Sequence, residues 1–181
     1  MLCNPIGVLG EDLIFLIFRK GNALETVGEF LSYAAKLEEE AALRFGELAD
    51  VMQSCGNTEV AALFRRLSDY SRLHLADARA RAAFRDMPEM KPEEYNWPDL
   101  ESPETAGIWA ADPFMGRTQA LEIARDAEEA SLKYYKSIFD TTTDPEIRIL
   151  AKEFYEEETE HVQEIHKWIE AHKAGKRLSA E

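Results

Sequence analysis

An all-α four-helix bundle, built as two helical hairpins joined by a long crossover, is the architecture this sequence predicts. Three observations carry it. Apolar residues recur at helical spacing through four long stretches. Two short turns and one connection rich in helix breakers separate those stretches. No segment shows the alternation of a half-buried strand.

The first pattern runs from about Leu24 to Met52, with Leu31, Ala34, Leu37, Ala41, Phe45, Leu48, Ala49 and Met52 on one stripe. It stops at Ser54-Cys55-Gly56-Asn57, and Asn57 or Thr58 is expected to cap a second helix reaching about Phe84. From 86 to 116 the chain carries Pro88, Pro92, Pro98, Pro103 and Pro113, too many breakers for a tight turn, so this stretch reads as the crossover. Trp97 and Trp109 are its expected anchors. A third helix is expected from about Thr118 to Phe139. After Thr141-Thr142-Thr143, Asp144 is a good N-cap and Pro145 suits the first helical position. The fourth helix then continues to about His172 and ends on Lys173, Lys176 and Arg177, which complement a helix C-terminus. The bundle is thus assigned to residues 24–173, with an apolar extension at 1–23 and a tail at 174–181.

The two hairpins echo each other. Glu39-Glu40-Ala41-Ala42-Leu43-Arg44-Phe45 parallels Glu128-Glu129-Ala130-Ser131-Leu132-Lys133-Tyr134. The N-terminal run Leu13-Ile14-Phe15-Leu16-Ile17-Phe18 is too short to span a bilayer, which takes about 20 residues. Glu11 and Asp12 precede it and it lacks a basic start, so a signal peptide fits poorly. An extra helical turn docking on the body or on a second subunit is expected, with a true start downstream of Met1 left open.

Over 181 residues the formal net charge is −14, which argues against nucleic acid and anionic membrane surfaces as partners. The cysteines, Cys3 and Cys55, form no C-x-x-C and no disulfide framework, so a reduced, cytoplasmic setting is expected.

The chemistry lies on the apolar stripes. Residues three apart share a helix face, so Glu158 and His161 aim a carboxylate and an imidazole at one point. Both fall within the stripe of Ile147, Leu150, Ala151, Phe154, Ile165 and Trp168. His74 lies on the face of Phe64, Leu67, Ser71 and Ala78, with Ser71 where a second Glu-x-x-His would have its carboxylate. Glu128 lies between Ala124, Ser131 and Tyr135. Glu38 lies near the centre of the first stripe, whereas Glu39, its rival by the hairpin repeat, sits nearer the edge. A buried carboxylate is costly without a partner, and a metal ion is one such partner. Tyr70, Tyr134, Tyr135 and Tyr155 read as core aromatics, and His166 and His172 fall outside the set.

From about Leu31 to Trp168 the chain resembles the ferritin-like superfamily, and within it the rubrerythrin-like di-iron carboxylate proteins. The resemblance rests on Leu37-Glu38-Glu39-Glu40-Ala41 with Phe45 and Leu48-Ala49, on Ala124-Arg125-Asp126-Ala127-Glu128 with Tyr135, and on Glu158-x-x-His161. That family takes one glutamate from each of helices one and three and a Glu-x-x-His from each of helices two and four. Carried over, the resemblance implies Glu38, His74, Glu128, Glu158 and His161 as metal ligands. Ser71 departs from it, since a neutral, short side chain cannot replace a bridging carboxylate. Two metals bridged by Glu158 with water or an exogenous anion, one metal, or none all stay open, and Asp77, one turn beyond His74, is a candidate to compensate.

The resemblance implies iron, dinuclear or mononuclear, reacting with dioxygen or hydrogen peroxide as an oxidase or peroxide reductase. The donor set also suits zinc or manganese. Rubrerythrins proper carry a rubredoxin-like domain with paired C-x-x-C sites; without one, electrons are expected from a separate donor. A homodimer is the expected assembly. The alternative is a non-catalytic bundle with one structural zinc or no metal, and iron storage is a third option.

Overall fold

In the computed structural model, which describes residues 24–99, 101–106 and 112–176, Thr26 opens the first helix. Its backbone is extended and its Oγ1 accepts a hydrogen bond from Glu29 N at 3.1 Å, so α1 spans Val27–Ser54, three residues inside the expected start. The extension at 1–23, Trp109 and the last residues of the tail lie outside the described residues.

α1 ends where Gly56 takes a left-handed φ of 81°, which a side chain would resist. The chain returns at once as α2, Thr58–Arg81. Asn57 is the N-cap residue of α2, but its side chain makes no capping bond. Its Nδ2 instead donates to Met115 O at 2.7 Å, tying the hairpin turn to the end of the crossover. α2 stops short of Phe84, which is fully exposed. The second hairpin is α3, Arg117–Thr141, and α4, Pro145–Lys173. Asp144 caps α4 as its sequence predicts, its Oδ1 accepting from Glu146 N at 2.8 Å and Ile147 N at 2.9 Å. The hairpins are the strongest packing units, α1 along α2 and α3 along α4. The fold is the expected all-α ferritin-like bundle, and no helix among the described residues is long and apolar enough to cross a membrane.

The crossover starts against one end of the bundle and finishes against the other, where Ala106 and Met115 join a separate apolar cluster. A short 3-10 turn, Pro92–Glu94, leads into Tyr95 and Trp97, whose rings lie 5.0 Å from that of Tyr33, with Trp97 also edge-on to Tyr134. Asn96 N donates to Tyr33 Oη at 2.8 Å.

The interior is divided. One apolar cluster gathers Ala41 to Met52 of α1, Val60 to Leu67 of α2, Ala120 to Ala127 of α3, and Ile165 and Trp168 of α4. The other gathers Phe30 to Leu37, Ala78 and Ala82, Tyr134 to Ile138, and Ile147 to Phe154. On every helix the residues between the two clusters are the polar ones singled out above: Glu38, Ser71 and His74, Glu128, and Glu158 and His161.

At the entrance to the crossover the backbone of Asp86 passes directly over Gly28, and a Cβ at position 28 would overlap the Asp86 carbonyl. Gly28→Ala must therefore displace backbone, not a flexible side-chain end. It is expected to lower stability by about 1–3 kcal/mol in denaturant melts, the range for overpacking a close contact, although alanine is otherwise the better helix former.

Candidate metal centre

Each helix delivers one part of the polar layer, because the spacing that builds the two apolar clusters turns the intervening residue inward too. Glu38 is 1 % exposed. Glu39, one position on, faces solvent and pairs with Lys36 and with Arg79 at 3.2 Å. From α3, Glu128 is buried, and from α4 so is Glu158. His161 Nδ1 lies 3.1 Å from Glu128 Oε2 and 3.4 Å from Glu158 Oε2. His74 Nδ1 is 3.8 Å from Glu38 Oε1, and the two imidazole rings lie 4.6 Å apart. The bundle thus gathers Glu38, His74, Glu128, Glu158 and His161 at one level. His166 is exposed, and His172 is remote, bonded to Thr118 at 2.8 Å.

A sixth residue joins them that the helical patterns do not reveal. Glu104, from the crossover, is 3 % exposed, and its Oε1 lies 3.5 Å from Ser71 Oγ. Asp77, the candidate to compensate for Ser71, is turned outward to Arg81 Nε at 2.5 Å. The crossover glutamates 89, 93, 94 and 101 are all exposed, so nothing local in the sequence separates Glu104 from them. The signal was the vacancy at Ser71, which calls for a carboxylate from elsewhere.

Four buried carboxylates in one layer repel one another and lose hydration. Burial, with the Glu128 charge beside it, raises the Glu38 pKa well above the ordinary carboxylate value, and burial with Glu38 nearby does the same to Glu104. Burial pushes Glu158 up to about 8 despite the His161 imidazole 3.4 Å away. Burial alone would lower His161, but the Glu128 and Glu158 carboxylates beside its Nδ1 outweigh that and raise the imidazole to about 11. His74 goes the other way, lowered by burial and by the neighbouring His161.

The layer is under-satisfied in a way a cation would cure. Glu38 Oε1, Glu104 Oε2 and Glu158 Oε2 are buried without a hydrogen-bond partner, as are the Tyr135 and Ser131 hydroxyls. Donor atoms of His74, Glu158 and His161 all lie within 4.8 Å of one another, and so do those of Glu38, Glu104 and Glu158. Glu158 belongs to both groups, so the residues present fit a pair of adjacent ions sharing that carboxylate. Mixed carboxylate and imidazole donors suit iron, manganese or zinc. A solvent-open cleft of about 560 Å³ reaches His74, Glu128 and His161 from outside, walled by Leu67, Tyr70, Ile165 and Trp168.

A family model described as Rubrerythrin matches residues 29–169. The chain is also similar to a crystal structure of an uncharacterized conserved protein from Magnetospirillum magnetotacticum MS-1. The two share 36% identity and a TM-score of 0.62, over 80% of this chain and 94% of that one. No curated protein matches.

With its metal removed, the protein should show the proton balance of this layer as a pH-dependent stability. Between pH 6.5 and 8, Glu158 and His161 both hold more protons folded than unfolded, because both folded values are raised. Stability then falls as pH rises, by about 1.4 kcal/mol per pH unit for each proton of difference. His74, with its lowered value, opposes this only at more acidic pH. Chemical denaturation of the metal-free protein across this window is expected to show the decline, and Glu158→Gln to make it shallower.

Proposed function

This chain belongs to the rubrerythrin family, and from that membership together with its buried donor layer we propose that it is a non-haem iron oxidoreductase that reduces hydrogen peroxide or dioxygen. The observation that carries the proposal is the set of buried carboxylate oxygens, without a hydrogen bond among the described residues, converging with two imidazoles between two apolar clusters. Glu38 and Glu128 would serve as carboxylate ligands, His74 and His161 as nitrogen ligands, and Glu158 as the shared one. Bound iron would supply the electrons that cleave an O–O bond.

The remaining chemistry belongs to the protein. The cleft admits molecules of peroxide size to the histidine side of the layer, where both imidazoles are about one-fifth exposed. The opposite side is sealed by Phe30, Tyr135 and Phe154, whose rings stack edge-on and face-on and keep water from the carboxylates. Before metal enters, His161 holds a proton against Glu128 and Glu158; that proton and the one on Glu158 must leave, so uptake releases acid. The two cysteines form no C-x-x-C, and a separate redox protein would serve as the electron donor.

Protein purified from iron-supplemented cells is expected to carry about two irons per chain by mass spectrometry, as a dinuclear carboxylate site holds. The double variant Glu158→Ala, His161→Ala should carry none. Peroxide added to the reduced wild-type protein should then oxidise the iron without releasing it. A single zinc, or no metal, would overturn the oxidoreductase reading and leave a non-catalytic bundle.

A further inference from the structure

We propose that Glu104 is a metal ligand delivered by the crossover in place of the carboxylate that Ser71 lacks, so that metal uptake fastens the crossover to the bundle. The inference rests on the cluster being a metal centre and adds to it a ligand from outside the four helices.

Three independent observations support it. Glu104 is as deeply buried as the helix-borne carboxylates, and one of its oxygens has no hydrogen-bond partner among the described residues. Its other oxygen meets a neutral serine hydroxyl at 3.5 Å, a hydroxyl that also has the Leu67 carbonyl at 3.2 Å. A single weak hydrogen bond is poor compensation for a buried carboxylate.

Second, the space is shared. Ser71 and His74 lie one turn apart on α2, where a glutamate at 71 would project into the layer beside the imidazole. Glu104 Oε1 occupies the ground directly beyond the short serine side chain, so Ser71 and Glu104 behave as a matched pair. Its donor atom lies within 4.8 Å of those of Glu38 and Glu158, the distance at which one ion can take all three.

Third, the backbone is shaped to place it. Ser102, Glu104 and Ala106 are all buried, and Thr105 N donates to Ser102 O at 3.0 Å, closing a turn with Pro103 and Glu104 at its centre. Ala106 is part of one apolar cluster, so the segment is seated on the bundle next to its carboxylate.

The test compares the full chain with Glu104→Gln, Ser71→Glu and the double variant Ser71→Glu, Glu104→Gln. Each is titrated anaerobically with ferrous iron, its fold checked by circular dichroism, and amide hydrogen exchange over 101–106 is followed with and without the metal. Glu104→Gln is expected to weaken iron binding by about tenfold or more, and the double variant to recover it. Iron should slow exchange over 101–106 in the wild type but not in the double variant, where the carboxylate comes from α2. If Glu104→Gln binds iron as the wild type does, or if iron leaves exchange over 101–106 unchanged in the wild type, the inference fails while the metal centre stands. If Glu104→Gln does not fold, the double variant decides alone: folded but unable to bind iron, it too overturns the inference. A wild-type chain that takes up no iron overturns both readings.

Discussion

Four carboxylates share one layer in the interior of this bundle, and no arginine or lysine reaches them among the described residues. Their mutual repulsion and lost hydration form the constraint around which the rest is arranged. The desolvation cost of a buried ion is several kcal/mol even after relaxation, against a net stability of about 5–15 kcal/mol for a whole domain. The surface ion pairs, Lys36–Glu40 or Lys152–Glu156 among them, cannot offset it, since such pairs contribute about 0–1 kcal/mol each. The offset must come from the two apolar clusters, and from whatever cation the layer accepts.

The scaffold reads as an answer to that constraint. An apolar cluster above and another below hold all four helices at fixed register, so the polar residues cannot spread apart to relieve repulsion. Across the layer α2 and α4 are joined mainly through side chains. Arg81 of α2 pairs with Glu153 and Glu157 of α4 and lies over the Phe154 ring, and His74 meets His161. The gap this leaves between the two helices is the cleft. Rigidity and access are therefore two results of one packing choice.

Much of this was legible in the sequence, for identifiable reasons. Long helices with a wide apolar stripe declare themselves, and Asp144-Pro145 marks a helix start wherever it follows a turn. Glu38 was separable from Glu39 because one position of offset is 100° of rotation, enough to decide between core and solvent. Helix ends were less legible: α1 begins at the Thr26 cap and α2 stops before Phe84 because the crossover, whose path no periodicity encodes, takes over there. Glu104 escaped for the same reason. In an irregular segment no face is defined, and its acidic neighbours share its chemistry without its burial.

The cleft opens beside Glu160 and Glu164, with Lys167 paired to Glu164, on a chain whose net charge is strongly negative. Fields of this sign draw cations inward and turn anions away. A field of this sign at the opening would sort visitors by charge. Metal ions would be concentrated at the threshold, small neutral molecules would pass unhindered, and anions such as phosphate or carboxylates would meet a barrier that added salt lowers.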